Sequence, residues 1–396
     1  MNMKWLSDWF EKIEPKGKWA WLGSTYEAFH TFAFTPKTVT KSGSHIRDAV
    51  DMKRSIIIVV IALIPALLFG MWNIGYQHYT NCYPLPTIHY PLITYWWFGF
   101  LRMLPMIVVS YAVGLFIEFA FAQVRHHEVN EGFLATGLLI PMIVPVTTPL
   151  WQLALAVAFA VIIGKEVFGG SGMNFLNPAL VARAFLFFAY PTHMSGDKVW
   201  IANDLWGSDA IAGATPMGEL AAGMHPSASA LDMLIGTIPG STCETSVIAI
   251  ALGALLLLLT GIASWRIMLS VFLGGGLMGL LFNAIGYNEY MQLPFYYHFL
   301  MGGFAFGAVF MATDPVTAAQ TNTGKWIYGL LIGAFAVLLR VCNPAYPEGM
   351  MLSILFMNCM APLIDHCVVA RNIKRRTSRT STTSLTSSTR KEAHNG

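Results

Sequence analysis

The chain has 396 residues, of which 55% are hydrophobic and only 11% are charged, and its formal net charge is +3. A soluble domain carries roughly a quarter charged residues, so this composition excludes a soluble protein. The small positive charge comes mainly from the two ends of the chain, which indicates membrane topology and not nucleic-acid binding. Residues 1–54 contain no apolar stretch long enough for a signal peptide.

A helix that crosses a bilayer needs about 20 mostly apolar residues, and the hydropathy pattern predicts about ten such helices. In chain order they are expected near residues 55–72, 97–121, 132–148, 151–168, 177–191, 246–263, 266–283, 296–312, 326–342 and 349–369. The stretch 132–168 has room for a broken or re-entrant element. The fifth segment opens with Asn177-Pro178, and proline is favoured in the first turn of a helix. The predicted fold class is an all-α integral membrane protein.

Basic residues predict how the chain lies in the membrane, because Lys and Arg are retained on the cytoplasmic side. The segment 1–54 and the start of the tail 370–396 are rich in them, whereas the loop 192–245 contains only Lys198. We therefore expect a transmembrane domain over 55–369, with both termini in the cytoplasm and the loop outside, which is the periplasm if the cell is Gram-negative. The tail is rich in Ser and Thr and is expected to be largely disordered.

Two short polar elements that contain proline recur in the two halves of the chain. Asn174-Phe-Leu-Asn-Pro-Ala179 lies in the first half and Ala312-Thr-Asp-Pro-Val316 in the second. Interrupted helices in matching positions build the midplane binding sites of transporters. The sequence therefore predicts two inverted five-helix halves with interrupted helices.

The asparagines of the first element have two possible roles. An Asn amide both donates and accepts, as the polar edge of a flavin ring does, so Asn174 and Asn177 are candidate contacts for such a ring. The alternative is helix capping, which Asn performs well, and spacing favours capping for one of the two.

Three carboxylates lie at predicted membrane depth, where ionisable groups are costly and often functional. Glu118, Asp314 and Asp365 are candidates for an ion pathway. The alternatives are that Asp314 caps or pairs locally with Lys325, and that Asp365 is close enough to the interface to be hydrated. For Glu118 we expect no basic neighbour deeper in the membrane than Arg102.

A polar loop between apolar stretches reads Asp209-Ala-Ile-Ala-Gly-Ala-Thr215. It resembles the Asp-Gly-x-Ser/Thr-Gly-Ala-Thr/Ser site at which certain respiratory membrane subunits carry FMN, esterified through its phosphate to the last hydroxyl. On this interpretation Asp209, Gly213 and Ala214 belong to the cofactor site, and Thr215 is the acceptor. The alternative is a simple turn before Pro216.

The remaining patterns argue against other chemistries. The cysteines show no Cys-x-x-Cys spacing, so neither an iron–sulfur cluster nor a zinc site is expected, and no metal besides Na⁺. Cys82 and Cys243 are both predicted outside, which leaves a disulfide open as an alternative. No Ser/His/Asp arrangement suggests a hydrolase.

Longer stretches, up to about residue 376, carry a resemblance to one known family. The motifs are Tyr26-Glu27-Ala28, Ser44-His-Ile-Arg-Asp48, His127-Glu-Val-Asn-Glu-Gly-Phe133, Gly164-Lys-Glu-Val-Phe-Gly-Gly170, Asn174-Phe-Leu-Asn-Pro-Ala179, Arg183-Ala-Phe-Leu-Phe-Phe-Ala-Tyr-Pro191, Gly261-Ile-Ala-Ser-Trp-Arg266, Met311-Ala-Thr-Asp-Pro315, Asn343-Pro-Ala-Tyr-Pro-Glu-Gly-Met-Met351 and Arg371-Asn-Ile-Lys-Arg-Arg376. The chain resembles the B subunits of Na⁺-translocating NADH:quinone oxidoreductases, to which the D subunits of Rnf complexes are related.

The resemblance implies a membrane flavoprotein subunit that couples electron transfer from NADH to quinone with Na⁺ export. Electrons would pass from FMN to riboflavin to a ubiquinone or menaquinone. The implied assignments are FMN on Thr215, riboflavin at Asn174 and Asn177, ion passage at Glu118, Asp314 and Asp365, and quinone near Gly114.

The resemblance also implies partners. These are the other members of a six-subunit membrane complex, including a second FMN-carrying subunit and an NADH-oxidising subunit with FAD and a 2Fe-2S centre. Nothing in this chain resembles a nicotinamide-binding domain, so the isolated chain is expected to be inactive on NADH.

One departure and two alternatives accompany this interpretation. Ala210 and Ala212 stand where the family pattern usually has Gly and Ser/Thr, which would make flavin attachment less efficient. An Rnf-type subunit coupled to ferredoxin and NAD is one alternative, although the charged N-terminal segment argues against it. A urea-transporter-like passive channel is the other, since its inverted halves have similar hydropathy; it predicts no covalent flavin.

Overall fold

The computed structural model describes residues 26, 40–46, 52–82, 91–125, 132–194, 199–202, 213–343 and 349–392, and within these ranges it is helical with connecting loops. The helices are α1 (Met52–Cys82), α2 (Leu92–Arg125), α3 (Phe133–Ile143), α4 (Leu150–Gly164), α5 (Pro178–Ala189), α6 (Pro216–Ala221), α7 (Ala230–Ile235), α8 (Val247–Leu259), α9 (Trp265–Ile285), α10 (Glu289–Gln292), α11 (Tyr297–Leu300), α12 (Phe304–Phe306), α13 (Asn322–Cys342) and α14 (Gly349–Glu392). A π-helical turn over Gly307–Met311 continues α12.

The all-α multi-pass membrane fold is confirmed. Within the described ranges, 6 helices are long and apolar enough to cross a membrane, and three shorter apolar helices accompany them at Phe133–Ile143, Pro178–Ala189 and Val247–Leu259. Every segment expected from hydropathy coincides with a helix, and the segment near 296–312 is broken into α11, α12 and the π-helical turn. Large apolar side chains on the outer surface, such as Phe116 at 74% exposure, form the face that lipid would cover.

The last helix is longer than the sequence suggests. α14 continues to Glu392, past residue 370, where we expected a largely disordered tail to begin. Residues 371–378 of this extension are exposed, so they bury no apolar surface that would hold them in place. The domain boundaries remain predictions.

The helices of the two halves pack in a similar order. In the first half α4 packs between α2 and α5, and in the second half α13 packs between α9 and α14. Across the halves, α1 packs on α8 and α5 packs on α14. This recurrence agrees with the two five-helix halves predicted from the sequence.

Glycines allow the closest of these contacts, between α9 and α13. A side chain at Gly274 would collide with the backbone oxygen of Leu330, and one at Gly333 with that of Val271. Small residues at such positions let two helix backbones approach closely, as in many membrane helix pairs.

Two elements are too short to cross the bilayer alone. α3 has 11 residues, or about 16 Å at 1.5 Å per residue, against a hydrocarbon core of about 30 Å. The π-helical turn has 5 residues and ends just before Thr313 and Asp314. These short elements, together with the start of α5, leave room for two cavities inside the helix bundle.

Candidate functional site

The first cavity surrounds the predicted acceptor hydroxyl, and we call it the threonine cavity. It has a volume of about 250 Å³. Its lining includes Arg183, Trp200, Thr215, Glu244, Arg340 and Met350. It therefore combines the predicted FMN residue with three buried charged side chains that the sequence did not connect to it.

Thr215 is the N-cap of α6. Its Oγ1 accepts a hydrogen bond of 3.0 Å from the backbone N–H of Gly218, and Pro216 occupies the first helical position. Threonine before proline suits this position, because the cap side chain satisfies a free N–H and proline needs no partner there. Thr215 thus forms the turn that we considered as an alternative, and it also lines the cavity.

The neighbours of Thr215 are only partly described. A side chain at Gly213 would collide with Ile201, so glycine is required here for packing. Ala214 is half-buried. Asp209, Ala210 and Ala212 lie outside the described residues.

A buried ion pair forms one wall of the threonine cavity. The Nη1 of Arg183 donates to Oε1 of Glu244 at 2.7 Å, and its Nη2 donates to Oγ of Ser241 at 3.1 Å. Both charged side chains are about 5–6% exposed. A buried pair of this kind is stable only when both partners are present, so Arg183 is held in a fixed orientation.

A second guanidinium borders the same cavity. Arg340 is 2% exposed; it donates to the backbone oxygen of His298 at 2.8 Å and lies 5.7 Å from the centre of the Phe304 ring. Gly302, at φ +60°, packs so tightly that an added Cβ would lie 2.5 Å from Sδ of Met217. Two cations and one carboxylate among the described lining residues leave one positive charge in excess.

The second cavity contains the asparagines, and we call it the asparagine cavity. It has a volume of about 430 Å³. Its lining includes Thr136, Lys165, Ser171, Asn174, Asn177, Thr313 and Asp314. The two polar elements that recur in the two halves of the sequence therefore meet here.

Asn177 makes a direct contact between the two halves of the chain. Its Oδ1 accepts from the N–H of Ala179 at 3.0 Å and so caps α5, while its Nδ2 donates to Oδ2 of Asp314 at 3.5 Å. Capping by one asparagine is thus confirmed. Asn174 donates to the backbone oxygen of Leu176 at 3.0 Å and shapes the turn before the helix.

The Asp314 carboxylate accepts hydrogen bonds but forms no ion pair with a described residue. It accepts from Oγ1 of Thr317 at 3.0 Å and from the N–H of Val316 at 3.2 Å. Among the described residues no basic side chain pairs with it, Lys325 included. The local-capping alternative is therefore correct in part, and the carboxylate still borders the asparagine cavity.

Glu118 differs from the sequence expectation. We expected no basic group near it, but Glu118 forms an ion pair with Lys165, and both side chains are about 4–6% exposed. Hydropathy could not reveal this pair, because Lys165 directly follows α4 and becomes buried only when it meets Glu118 on α2, 47 positions away in the chain. Next to it, Glu166 pairs with Arg125 at 3.5 Å.

Asp365 lies apart from both cavities. Its carboxylate accepts from the N–H groups of Gln320 at 2.6 Å and Thr321 at 3.0 Å, and from the Thr321 hydroxyl at 2.5 Å. These contacts fix the loop that begins α13. Its half-exposed position agrees with the hydrated alternative.

Gly114 packs against an aromatic ring. An added Cβ would overlap the fully buried ring of Phe133, which makes an edge contact with Tyr111 at 6.2 Å. The ring also lies 6.0 Å from Nζ of Lys165. Gly114 is therefore near the Glu118–Lys165 pair through Phe133.

Cys243 is a free buried thiol, 3.9 Å from Sδ of Met103, so the alternative disulfide with Cys82 is not formed. Burial, together with the neighbouring Glu244 carboxylate, raises the pKa of the Cys243 thiol well above its usual range. In the described part of the chain, no cluster of three His, Cys, Asp or Glu side chains could hold a metal.

Sequence reasoning missed Lys165, Arg183, Glu244 and Arg340. The signal was present, since arginines inside apolar helices are as unusual as carboxylates there. We applied that rule to the acidic residues only.

The fold and the cavities define a multi-pass α-helical membrane protein with polar sites at its broken helices. Residues 39–374 match the NQR2, RnfD, RnfE family. Three relatives are named as the B subunit of Na(+)-translocating NADH-quinone reductase. They come from Ectopseudomonas mendocina (strain ymp; 50% identity, covering 93% of this chain and 96% of the relative), Stutzerimonas stutzeri (strain A1501; 49%, 93% and 96%) and Chromohalobacter salexigens (48%, 93% and 95%).

The chain belongs to the NQR2, RnfD, RnfE family. The resemblance drawn from the sequence motifs is thereby confirmed.

Proposed function

We propose that this chain is the flavin-carrying B subunit of a respiratory complex that couples electron transfer from NADH to quinone with Na⁺ export. The relatives' names support the enzyme class. The observation that carries the flavin assignment is that two polar cavities border the same two broken segments. Leu180 and Met311 face the threonine cavity, and Asn177 and Phe310 face the asparagine cavity.

Thr215 is the proposed attachment point of FMN. A phosphodiester carries one negative charge, and the described charges around the threonine cavity leave one positive charge in excess. Arginine guanidinium groups are suited to phosphate because their donors form a planar fork. Arg183 and Arg340 would therefore orient the phosphate, while the cap bond from Gly218 leaves the Thr215 hydroxyl proton free to be lost on esterification.

The asparagine cavity is the proposed site of the non-covalent riboflavin. Its volume lies in the usual range of ligand cavities, about 300–1,000 Å³. Asn174 and Asn177 line it, and amide groups match the donors and acceptors of a flavin ring edge. When bound, FMN and riboflavin would supply the electron carriers; the chain itself binds, orients and insulates them.

The three carboxylates of the proposed ion pathway differ in their surroundings. Asp314 borders the asparagine cavity without an ion pair in the described chain, and Thr317 and Asn177 add polar atoms beside it. Oxygen ligands suit a hard cation such as Na⁺. Glu118 is the second proposed residue of the pathway. Asp365, which binds the backbone at the start of α13, is the third. Quinone is proposed to bind near Gly114 and Phe133.

The remaining assignments follow from the family. We propose a six-subunit complex in a bacterial inner membrane, with a second FMN-carrying subunit and an NADH-oxidising subunit with FAD and a 2Fe-2S centre. The N- and C-termini would lie in the cytoplasm. The isolated chain would not oxidise NADH.

The test is ultraviolet fluorescence of the denatured chain in a gel, after expression with the flavin-attaching enzyme. Wild type is expected to fluoresce and Thr215→Ala to be dark. Thr245→Ala is the matched control, because Thr245 also lines the threonine cavity, and it should fluoresce like wild type. A dark wild-type band would contradict the assignment and reopen the passive-channel alternative. Fluorescence that survives in Thr215→Ala would place the covalent flavin on another residue.

A further inference from the structure

Lys165 belongs to an ion pair and to a cavity at the same time. Its ammonium pairs with Glu118 on α2, and the residue also lines the asparagine cavity together with Asn174 and Asp314. It is only 5% exposed. A single buried cation thus stands between a carboxylate on one side and a ligand cavity on the other.

The charges around Glu118 are otherwise balanced. Glu166 lies near enough to act on Glu118 electrostatically, but it has its own partner in Arg125 at 3.5 Å. Neither Glu166 nor Arg125 lines the asparagine cavity. Among these four charged groups, Lys165 is therefore the one that a ligand in the cavity would contact.

The packing around Lys165 restricts where its ammonium can move. On one side lies the Phe133 ring, 6.0 Å from Nζ and fully buried against Gly114. The adjacent Tyr111 hydroxyl donates to the backbone oxygen of Leu134 at 2.5 Å, which fixes that wall. The open direction for the flexible lysine stem is towards the asparagine cavity.

We propose that Lys165 is a countercharge shared between Glu118 and the ligand of the asparagine cavity, so that an electron arriving in the cavity releases Glu118 to bind Na⁺. This rests on the proposed function, which places an electron-accepting flavin there. Negative charge in the cavity attracts the ammonium strongly, because Coulomb interactions are large at low dielectric. A buried carboxylate that loses its countercharge is strongly destabilised, so Glu118 takes a cation from the aqueous side.

The step is balanced in charge. One electron, derived from the NADH that the complex oxidises, enters the cavity, and one Na⁺ enters at Glu118. No covalent bond forms or breaks. When the electron leaves for the next acceptor, Lys165 returns to Glu118 and displaces the Na⁺.

The experiment measures the reduction potential of the bound riboflavin by spectroelectrochemistry of the intact complex, in NaCl and in KCl. In wild type, the potential should rise with Na⁺, by up to about 59 mV per tenfold for a one-electron couple. Lys165→Met should abolish this dependence, because Glu118 would then bind Na⁺ in both redox states. Lys165→Arg should retain it in part. Arg125→Lys is the matched control, because it changes a cation outside the cavity but keeps the charge that pairs with Glu166, and it should behave like wild type.

A double variant covers the possibility that Lys165→Met does not assemble. Glu118→Gln/Lys165→Met leaves a neutral pair in place of the charged one, and the potential of its riboflavin should show no Na⁺ dependence. A wild-type Na⁺ dependence in either variant, or none in wild type, would overturn the role of Lys165. The absence of extractable riboflavin in the wild-type complex would instead overturn the proposed riboflavin site, so the two failures are distinguishable.

Discussion

The threonine cavity and the asparagine cavity border the same two broken segments, yet they hold their charges in different ways. In the threonine cavity Arg183 is fixed by Glu244 and Ser241, and Arg340 is fixed by a backbone oxygen. In the asparagine cavity, Asp314 has only hydroxyl, amide and backbone donors among the described residues. The difference suggests a fixed anion site in one cavity and a site whose charge changes in the other.

The largest expected effect tests the fixed charges. Arg183→Met leaves the buried Glu244 carboxylate without its partner and should destabilise the protein by about 3–5 kcal/mol. The measurement is the thermal unfolding of the purified complex. Arg183→Met/Glu244→Leu, which removes both charges, should be clearly more stable than the single variant. Equal stabilities would show that the ion pair does not fix this wall.

A smaller effect is expected at Gly114, the candidate quinone position on α2. Gly114→Ala adds a methyl group that overlaps the Phe133 ring, and overpacking of this kind costs about 1–3 kcal/mol. We expect a raised KM for quinone with nearly unchanged NADH oxidation by an artificial acceptor. Gly276→Ala on α9 is the control, since its Cβ would make only ordinary contact with Phe299 at 3.4 Å. An unchanged quinone KM in Gly114→Ala would exclude this position.

Replacement of Asp314 and of Asp365 should change the Na⁺ dependence to different extents, because the two carboxylates have different surroundings. Asp314→Asn removes the charge at the asparagine cavity and should raise the Na⁺ concentration for half-maximal turnover by about tenfold, or roughly 1.4 kcal/mol. Asp365→Asn should change this Na⁺ concentration less, because the Asp365 carboxylate already accepts hydrogen bonds from the backbone at the start of α13. The measurement is quinone reduction by the complex across a Na⁺ series. A larger effect of Asp365→Asn than of Asp314→Asn would place the Na⁺ site at Asp365 instead.

The smallest expected effect separates capping from ligand binding at Asn177. Loss of a helix cap costs about 1 kcal/mol, so Asn177→Ala should be slightly less stable than wild type. Asn177→Ser keeps a capping hydroxyl and should recover that stability. Both variants lose the amide and should release riboflavin. Riboflavin retained by Asn177→Ser would mean that Asn177 serves the helix alone.

The fold followed from local patterns in the sequence, and much of the site did not. Apolar length and the Asn-Pro and Asp-Pro elements locate the helices and their breaks, because these signals lie within short windows. The pairing of Glu118 with Lys165 joins residues 47 positions apart, and that of Arg183 with Glu244 joins residues 61 apart. Such contacts depend on how helices pack, which hydropathy does not encode.

The meeting of the two polar elements was predictable only in part. Asn177 and Asp314 are 137 positions apart; the recurrence of their motifs predicted matching interrupted helices but not the contact between them. The unequal roles of the carboxylates were not predictable, because Asp365 acquires its cap partners only when α14 packs on the start of α13.

The most direct test of the account is an inventory of flavins in three complexes, wild type, Thr215→Ala and Asn177→Ser. Covalent flavin is measured on the separated chain, and extractable riboflavin by chromatography after acid treatment. The account predicts that Thr215→Ala loses only the covalent flavin and that Asn177→Ser loses only riboflavin. Loss of both flavins in either variant, or of neither, would contradict the assignment of two cavities to two flavins.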